Sequence, residues 1–417
     1  MELHRSLRLF DAYAIGLGAI VGAGIFVVTG VAASLAGPAL LASLVIGAIV
    51  SGFTALSFAE LAMLIPKEGG GYEFAHELVS PLGGFVSGWM WLISNVLSGT
   101  AVAIGFASYL AVFIPLPVNL VAAAACLGVT AINLWGVRES TSLNDLLVVF
   151  KVGVLLLFVA VGVLLIHPEN FVPFAPNGTW GIMQGAAIIF FAYSGFGRIA
   201  MVSEEVIDPK RTVPKAIFLA LITSTIIYML VAGVSIGMIG YEGLASSASP
   251  LSTAASLESP LLSKLIGLAA IAATLSVLLT TLLGMSRLSF AMARNGDLPK
   301  PLMRLNPSTR TPVMAIALFG GMMAILCLFS SVLLAAALSN FGALLYYALV
   351  NASALKMPRP TYHRIFPVLG LVSCLILLLF LGLEAWAFGL AGLVIVLVLF
   401  LFRRRWSSSA NDGRITR

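Results

Sequence analysis

Lys151 and Arg198 lie deep within apolar stretches of the sequence. Of the two, Lys151 could do acid–base chemistry. It falls in LLVVFKVGVLLLF (residues 146–158), about 10 Å from the start of its apolar run at 1.5 Å per helical residue. A lysine amine donates hydrogen bonds and can release a proton. At bilayer depth such a residue is expensive and functional by default. The competing interpretation is that its stem carries the charge out to the lipid headgroups.

A glycine cluster offers the second kind of chemistry. GAIVGAGIF (residues 18–26) holds Gly18, Gly22 and Gly24, and each interior glycine costs a helix about 1 kcal/mol relative to alanine. A helix that unwinds here exposes N–H and C=O groups that must find partners, which a polar ligand can supply. GFGRI (residues 195–199) is similar. The alternative is that these glycines let neighbouring helices pack closely.

Both features belong to segments of membrane-helix length. The 417 residues are 60% hydrophobic and 10% charged, with a mean hydropathy of +1.07, which excludes a soluble domain. Runs of about twenty apolar residues match the thickness of a bilayer core. The sequence contains twelve of them, at about 10–35, 39–64, 81–113, 117–136, 144–166, 180–203, 214–240, 263–293, 312–330, 331–353, 362–383 and 385–402.

The basic residues in the loops and at the ends of these runs fall almost entirely on the side of the N-terminus, and the opposite side holds only Lys264. This asymmetry is the positive-inside pattern, so it predicts a cell membrane protein, plasma or inner, with both termini cytoplasmic and a basic tail at 403–417. It also accounts for the net charge of +6 without nucleic-acid binding. The cysteines and histidines lack metal or catalytic spacing, so we expect neither an enzyme, a cofactor nor a metal site.

The two glycine stretches also suggest an internal repeat. They lie near the middle of the first and sixth runs, so five runs separate their starts and the second unit is inverted. Paired glycine interruptions of this kind indicate an inverted-repeat transporter with broken helices. We therefore expect repeats at about 10–166 and 180–353 in a single transmembrane domain of residues 1–402, with two additional helices over about 362–402.

Four motifs together resemble the amino acid–polyamine–organocation (APC) family of transporters. They are GAIVGAGIF, PKEGGGYEFA (66–75), FFAYSGFGRIAMVSEEVIDPKRTVPKAI (190–217) and SRLSFAMARNGDLPK (286–300). They occur in the family's order and cover runs 1 to 10. The resemblance implies an all-α integral membrane fold of about twelve helices, a LeuT-like 5+5 inverted repeat with helices 1 and 6 unwound, and two C-terminal helices.

The resemblance also implies a site for a zwitterionic amino acid. The family pattern puts the carboxylate on the amides of Ala23, Gly24 and Ile25, at the positive end of a helix dipole, with Gly22 beside them. It puts the ammonium group on carbonyls of Ile20, Phe191 and Ser194. Phe191, Tyr193 and Phe196 would line an apolar pocket, with Asn95 or Ser98 as polar contacts. Some relatives carry an acidic residue at the position of Gly197, so this pocket favours neutral amino acids.

For Lys151 the resemblance implies proton coupling. Some proton-coupled members carry a lysine at this point, where distant relatives bind sodium. The matching partners are the carbonyls of Gly18 and Val21, with a hydroxyl of Ser276 or Thr274. Burial penalises the charged amine, which makes proton exchange near neutral pH feasible. A fixed cation at this place argues against sodium coupling.

Three functional interpretations stay open in the sequence. The favoured one is a secondary transporter that carries a neutral amino acid together with protons across the lipid bilayer. The second is an exchanger of amino acids or amines without proton coupling, and the third is a channel or substrate sensor. Arg198 has no assigned role beyond snorkelling, gating or pairing with Glu204 or Glu205. Neither the exact amino acid nor the oligomeric state can be predicted.

Overall fold

The computed structural model describes residues 7–65, 69–136, 141–197, 199, 206–307, 311–361 and 363–412. Regular structure in these ranges is helical, apart from one isolated bridge between Leu7 and Val206. The prediction of an all-α fold is therefore confirmed. Arg198, Glu204 and Glu205, whose roles the sequence left open, lie outside the described residues.

Fifteen α-helices are described, joined by short 3-10 turns and one π-helix. In chain order they are α1 (Leu9–Ile20), α2 (Thr29–Ala36), α3 (Leu40–Leu64), α4 (Gly71–Leu78), α5 (Pro81–Leu110), α6 (Val118–Leu134), α7 (Thr141–Gly162), α8 (Gly178–Tyr193), α9 (Pro209–Ser246), α10 (Pro250–Ser256), α11 (Pro260–Arg294), α12 (Val313–Phe329), α13 (Val332–Leu355), α14 (Ile365–Leu379) and α15 (Leu383–Asp412).

Each of the twelve predicted apolar runs contains helix, but the helices do not match the runs one to one. In the described residues seven segments are long and apolar enough to cross a membrane, with Leu9–Leu64 counted as one, and three shorter apolar helices accompany them. Short helices α4 and α10 lie outside the predicted runs, and α15 continues to residue 412, into the segment predicted as a tail. The twelve crossings and the inverted repeat stay predictions.

Helix ends follow local chemistry at several of the boundaries. The Ser80 hydroxyl accepts a hydrogen bond from the Gly83 amide at 3.0 Å, and Pro81 begins α5 with the backbone angle that a first helical position needs. Ser331 caps α13 in the same way through the Leu334 amide, at 3.2 Å. This cap separates α12 from α13, where the apolar pattern alone is nearly continuous.

The first apolar run breaks in its middle. Helix α1 ends at Ile20, Val21 leaves helical geometry (φ −73°, ψ 65°), and the chain resumes as a π-helix over Gly24–Val28 before α2. The sixth run changes less, because α8 ends at Tyr193 and passes into a 3-10 turn over Ser194–Phe196. Helix α1 packs against α7 and α9, α8 packs against α3, and α5 packs against both α11 and α13. The two breaks are therefore enclosed by other helices.

Candidate substrate and coupling sites

A cavity of about 120 Å³ lies between the two helix breaks. The breaks form one side of it, and α3, α5, α11 and α13 form the rest. Its lining residues are Ala19, Ile20, Ala23, Gly24, Phe58, Trp91, Asn95, Ser98, Phe191, Ala192, Ser194, Gly195, Gly197, Val277, Thr280, Thr281, Gly284, Tyr346 and Tyr347.

Seven of the ten predicted substrate-binding residues line this cavity. They are Ile20, Ala23, Gly24, Asn95, Ser98, Phe191 and Ser194. Gly22, Ile25 and Phe196 do not line it. A Cβ on Gly22 would come within 2.6 Å of the Val277 side chain, Ile25 is fully buried, and the Phe196 ring packs at 5.2 Å from that of Tyr347. Phe196 therefore supports the cavity wall from behind. Tyr193, which was also expected to line the pocket, does not line it, and its ring lies 5.4 Å from that of Tyr228.

The break in the first run leaves amide groups available. Ala23, Gly24 and Ile25 come at the start of the new helical turn, where N–H groups have no acceptor within the helix. The wider π-turn also releases carbonyls, and the Tyr109 hydroxyl of α5 donates to the carbonyl of Phe26 at 2.7 Å. The residues after the break can thus offer donors to an anionic group.

The carbonyls predicted to hold an ammonium group already accept hydrogen bonds from the protein. That of Ile20 accepts from the Tyr228 hydroxyl at 2.5 Å and from the Gly22 amide at 2.7 Å. The Phe191 carbonyl accepts from the Ser194 hydroxyl at 2.9 Å, and the Ser194 carbonyl from the Tyr347 hydroxyl at 3.1 Å. A carbonyl has two lone pairs, so an ammonium group would have to share these oxygens or displace a hydroxyl.

Tyr228 of α9 joins the two breaks, which the sequence did not predict. Its buried hydroxyl lies 2.5 Å from the Ile20 carbonyl and 3.2 Å from the Ala192 carbonyl, so one phenol touches the end of each broken helix. No sequence signal marked it, because α9 reads as an ordinary apolar span.

Glycines also allow the broken helices to touch. A Cβ on Gly24 would overlap Ala192 of α8, and one on Gly195 would overlap the Ala19 carbonyl. Gly197 differs, because a Cβ there would have only the Tyr347 hydroxyl at 3.9 Å and the Phe58 ring at 4.0 Å. Gly24 and Gly195 therefore allow close helix packing, as the alternative interpretation predicted. The helix also breaks at Val21, so close packing and a break both occur in this region.

An aromatic cluster forms a further wall of the cavity. The Trp91 ring stacks on that of Tyr346 at 4.2 Å, and the rings of Tyr346 and Tyr347 lie 5.1 Å apart. Phe58 lies beside them, 6.5 Å from Tyr346. Tryptophan and tyrosine usually occupy membrane interfaces. Their place in the middle of runs 3 and 10 was the sequence signal that could have identified this wall.

The cavity offers hydroxyl and amide groups, and its described lining residues include no charged side chain. The polar side chains are those of Asn95, Ser98, Ser194, Thr280 and Thr281, together with the two tyrosines. Asn95 donates one amide hydrogen bond to the Trp91 carbonyl at 2.7 Å. Such a lining can orient a neutral polar ligand and offers no counter-charge for a cationic side chain.

Lys151 lies beside the first break rather than at the membrane surface. Its side chain is only 1% exposed, and its Nζ donates to the carbonyl of Gly18 at 3.2 Å. Helix α7, which carries it, packs against α1 and α11. The snorkelling interpretation requires the ammonium group to reach water, which this burial does not allow.

The other predicted partners of Lys151 are the Val21 carbonyl and the hydroxyls of Thr274 and Ser276. The Thr274 hydroxyl donates within its own helix, to the carbonyls of Ala270 at 2.7 Å and Ile271 at 3.0 Å. The Val21 amide donates to the Leu17 carbonyl at 2.7 Å, and Ser276 is buried in α11. The coupling roles of Val21, Thr274 and Ser276 stay predictions.

Comparison with known proteins identifies relatives along nearly the whole chain. The branched-chain amino acid permease BcaP of Bacillus subtilis is 33% identical over 99% of this chain and 95% of its own. The methylthioribose transporter of the same organism is 34% identical over 97% and 95%. In the described residues no group of three or more histidine, cysteine, aspartate or glutamate side chains is placed to hold a metal ion.

A solved structure and a family profile complete the comparison. The chain superposes on a mutant form of a manganese transporter of Eremococcus coleocola with a TM-score of 0.59, 94% coverage of both chains and 15% identity, which indicates a shared fold only. The profile of the amino acid permease family matches residues 7–405. The family match, with the membrane-length helices, makes this a multi-pass membrane transporter. The chain belongs to the amino acid permease family, within the APC group anticipated from its motifs.

Proposed function

We propose that the protein is a secondary active transporter that carries neutral amino acids together with protons by alternating access. The observation that carries the proposal is the buried Lys151 ammonium on the Gly18 carbonyl, one turn before the break in the first run. A charged amine holds α1 in place at that carbonyl, and the neutral amine holds it more weakly. Protonation of Lys151 would then bias the position of α1 and, with it, the substrate site.

The substrate class follows from the cavity lining. An amino acid carboxylate fits the amides that follow the first break, and its ammonium group shares the carbonyls at the end of α1 and around the second break. Its side chain would meet Phe191 and the hydroxyls of Thr280 and Thr281. With no carboxylate among the described lining residues, a cationic side chain or a diamine has no partner there. The branched-chain permease relative supports a neutral aliphatic substrate.

The test is uptake of labelled amino acids into proteoliposomes, with and without an inward proton gradient. Wild type should accumulate neutral amino acids under the gradient, and putrescine should compete poorly. Unlabelled methylthioribose is included as a competitor, because one relative is named for it. Strong inhibition by putrescine or methylthioribose, with none by neutral amino acids, would exclude the proposed substrate. Uptake that needs a preloaded amino acid and ignores the gradient would indicate an exchanger.

Lys151 variants test the coupling in the same vesicles. Lys151→Ala should reduce proton-driven uptake to near background, because it removes both the exchangeable proton and the donor to Gly18. Lys151→Arg should also fail, since arginine keeps its charge but does not release the proton. Lys264→Ala, at an exposed position of α11, is the matched control and should transport normally. Near-normal gradient-driven uptake by Lys151→Arg would defeat the coupling role.

A further inference from the structure

A buried polar cluster lies beyond the aromatic wall of the cavity, at the end predicted to be cytoplasmic. Its centre is Asp297, in the turn after α11, whose side chain is fully buried. The Tyr72 hydroxyl of α4 donates to it at 2.6 Å, and the Asn295 amide donates to the Tyr72 hydroxyl at 3.0 Å. Asn295 also donates to the buried carboxylate of Glu73 at 3.1 Å. The cluster therefore fastens α4 to the end of α11.

The last helix supplies positive charge to this cluster. Arg403, near the end of the apolar part of α15, forms an ion pair with Asp297 and donates to the Asn295 carbonyl at 3.2 Å. Burial raises the pKa of the Asp297 carboxyl, while the hydrogen bond from Tyr72 and then the charges of Arg403 and His76 oppose that rise. A buried carboxylate that loses its cationic partner is strongly destabilised as an ion. The ionised state of Asp297 thus depends on Tyr72 first and on Arg403 of α15 with it.

The start of α4 also contacts the wall of the cavity, through Tyr346. The Gly71 amide at the start of α4 donates to the Tyr346 hydroxyl at 2.9 Å, and a Cβ on Gly71 would lie 2.6 Å from the Tyr346 ring. Tyr346 lines the cavity. Ser87 of α5 donates to the Gly71 carbonyl at 3.1 Å, which fixes the glycine further. A continuous series of contacts therefore runs from Arg403 through Asp297, Tyr72 and Gly71 to the cavity wall.

We propose that Arg403 is a positioning residue for transport. Through Asp297 it holds α4 against Tyr346, so that α15 keeps the aromatic side chains of the cavity wall packed together and blocks access to the cavity from the tail side. The proposal rests on the assignment of the cavity as the substrate site. Arg403 touches no substrate, and its loss should slow turnover and open the path to the cavity while leaving the ligand's own contacts in place.

The first measurement reports the wall directly and needs no knowledge of the substrate. Gly197→Cys places a thiol in the cavity lining, where the nearest atoms to a Cβ lie at 3.9 Å, while the native Cys126, Cys327 and Cys374 are buried. Adding Arg403→Gln should increase labelling of this thiol by a membrane-impermeant maleimide, applied from the tail side, by about fivefold, the low end of typical site-to-site coupling. Arg359→Gln, which removes an exposed arginine elsewhere, should leave labelling unchanged.

A double-mutant cycle then tests whether Arg403 acts through Asp297. Asp297→Asn alone should increase labelling to a similar degree, and Arg403→Gln should add little in that background, because the partners form one unit. Arg403→Lys, which keeps the charge, should restore part of the closure. Additive effects, or unchanged labelling in Arg403→Gln protein that is correctly inserted, would overturn the proposal.

Transport kinetics separate this proposal from the proposed function. Where wild type transports amino acids, Arg403→Gln should lower the maximal rate about fivefold with KM within about twofold, since the coupling affects the wall and not the ligand contacts. A raised KM at an unchanged maximal rate would place Arg403 in binding and contradict the positioning role. If wild type transports no amino acid, the proposed function fails and the labelling cycle still decides on the role of Arg403.

Discussion

The two broken helices that border the cavity are not equivalent. In the first run the chain leaves helical geometry at Val21 and resumes as a π-helix at Gly24. In the sixth run Ser194 keeps helical angles (φ −61°, ψ −8°) and only tightens into a 3-10 turn. The first break therefore leaves backbone amides at the start of a new helical turn, whereas the carbonyls at both breaks already accept hydrogen bonds from the protein. An inverted repeat, where it exists, does not make the two halves of a site chemically equal.

The groups that hold the two breaks differ in the same way. The ammonium group of Lys151 holds the first at Gly18, and the Tyr347 phenol holds the second at Ser194. Tyr228 contacts both. In the proposed mechanism the amine of Lys151 is the group that exchanges a proton, and Tyr347 contributes a hydrogen bond only. Under the proposed mechanism, proton coupling therefore acts on the first break and reaches the second through Tyr228 and the direct helix contact.

The strongest test of this difference uses one glycine from each break. Gly24→Ala should reduce uptake to background, because its Cβ would overlap Ala192 and force the broken helices apart, and overpacking of this kind costs about 1–3 kcal/mol. Gly197→Ala should retain most uptake, since nothing lies within 3.9 Å of its Cβ. Uptake is compared at equal amounts of monodisperse protein. Equal losses in the two variants would show that the breaks tolerate side chains alike.

A smaller effect is expected from removing the hydroxyl that joins the breaks. Tyr228→Phe should lower uptake up to about tenfold, since a hydrogen bond contributes about 0.5–1.5 kcal/mol and the single hydroxyl hydrogen lies between the two carbonyls at the breaks. Tyr347→Phe removes one bond at the second break alone and should cost less. Initial uptake rates at several values of pH provide the measurement. A larger loss in Tyr347→Phe would reverse the order of importance of the two breaks.

Much of the fold was predictable because membrane helices are long and apolar. The glycines of residues 18–26 predicted an interruption in the run that breaks at Val21, and the depth of Lys151 favoured a functional role over snorkelling, while its contact with Gly18 was implied by the family resemblance. Helices α4 and α10 could not be predicted in this way, because each is too short to show a clear apolar period. Helix α4 depends on contacts with Asp297 and Tyr346, which lie more than 200 residues away in sequence.

The predicted ammonium acceptors show a second limit of sequence reasoning. The family resemblance puts the ammonium group on the carbonyls of Ile20 and Ser194, at the ends of the broken helices. Their hydroxyl donors, Tyr228 and Tyr347, come from spans distant in sequence, and an apolar span does not reveal which of its tyrosines points inward. The aromatic wall left a sequence signal, a tryptophan and two tyrosines inside runs 3 and 10, but which of these rings meet depends on the packing of α5 against α13.

The smallest expected effect concerns two adjacent phenylalanines of the sixth run, which separate ligand contact from helix packing. Phe191 lines the cavity and is 8% exposed, while Phe190 is fully buried and packs 5.7 Å from the Tyr347 ring. Phe191→Ala should raise KM for neutral amino acids about threefold, since losing roughly 30 Å² of apolar contact costs about 0.7 kcal/mol. Phe190→Ala should lower the melting temperature in detergent and leave KM unchanged, because it opens a void behind the second break. Both quantities are measured on each purified variant. If Phe190→Ala instead raised KM and Phe191→Ala only lowered the melting temperature, the substrate would lie against the other face of α8. The second break would then contribute to helix packing and not to the cavity wall.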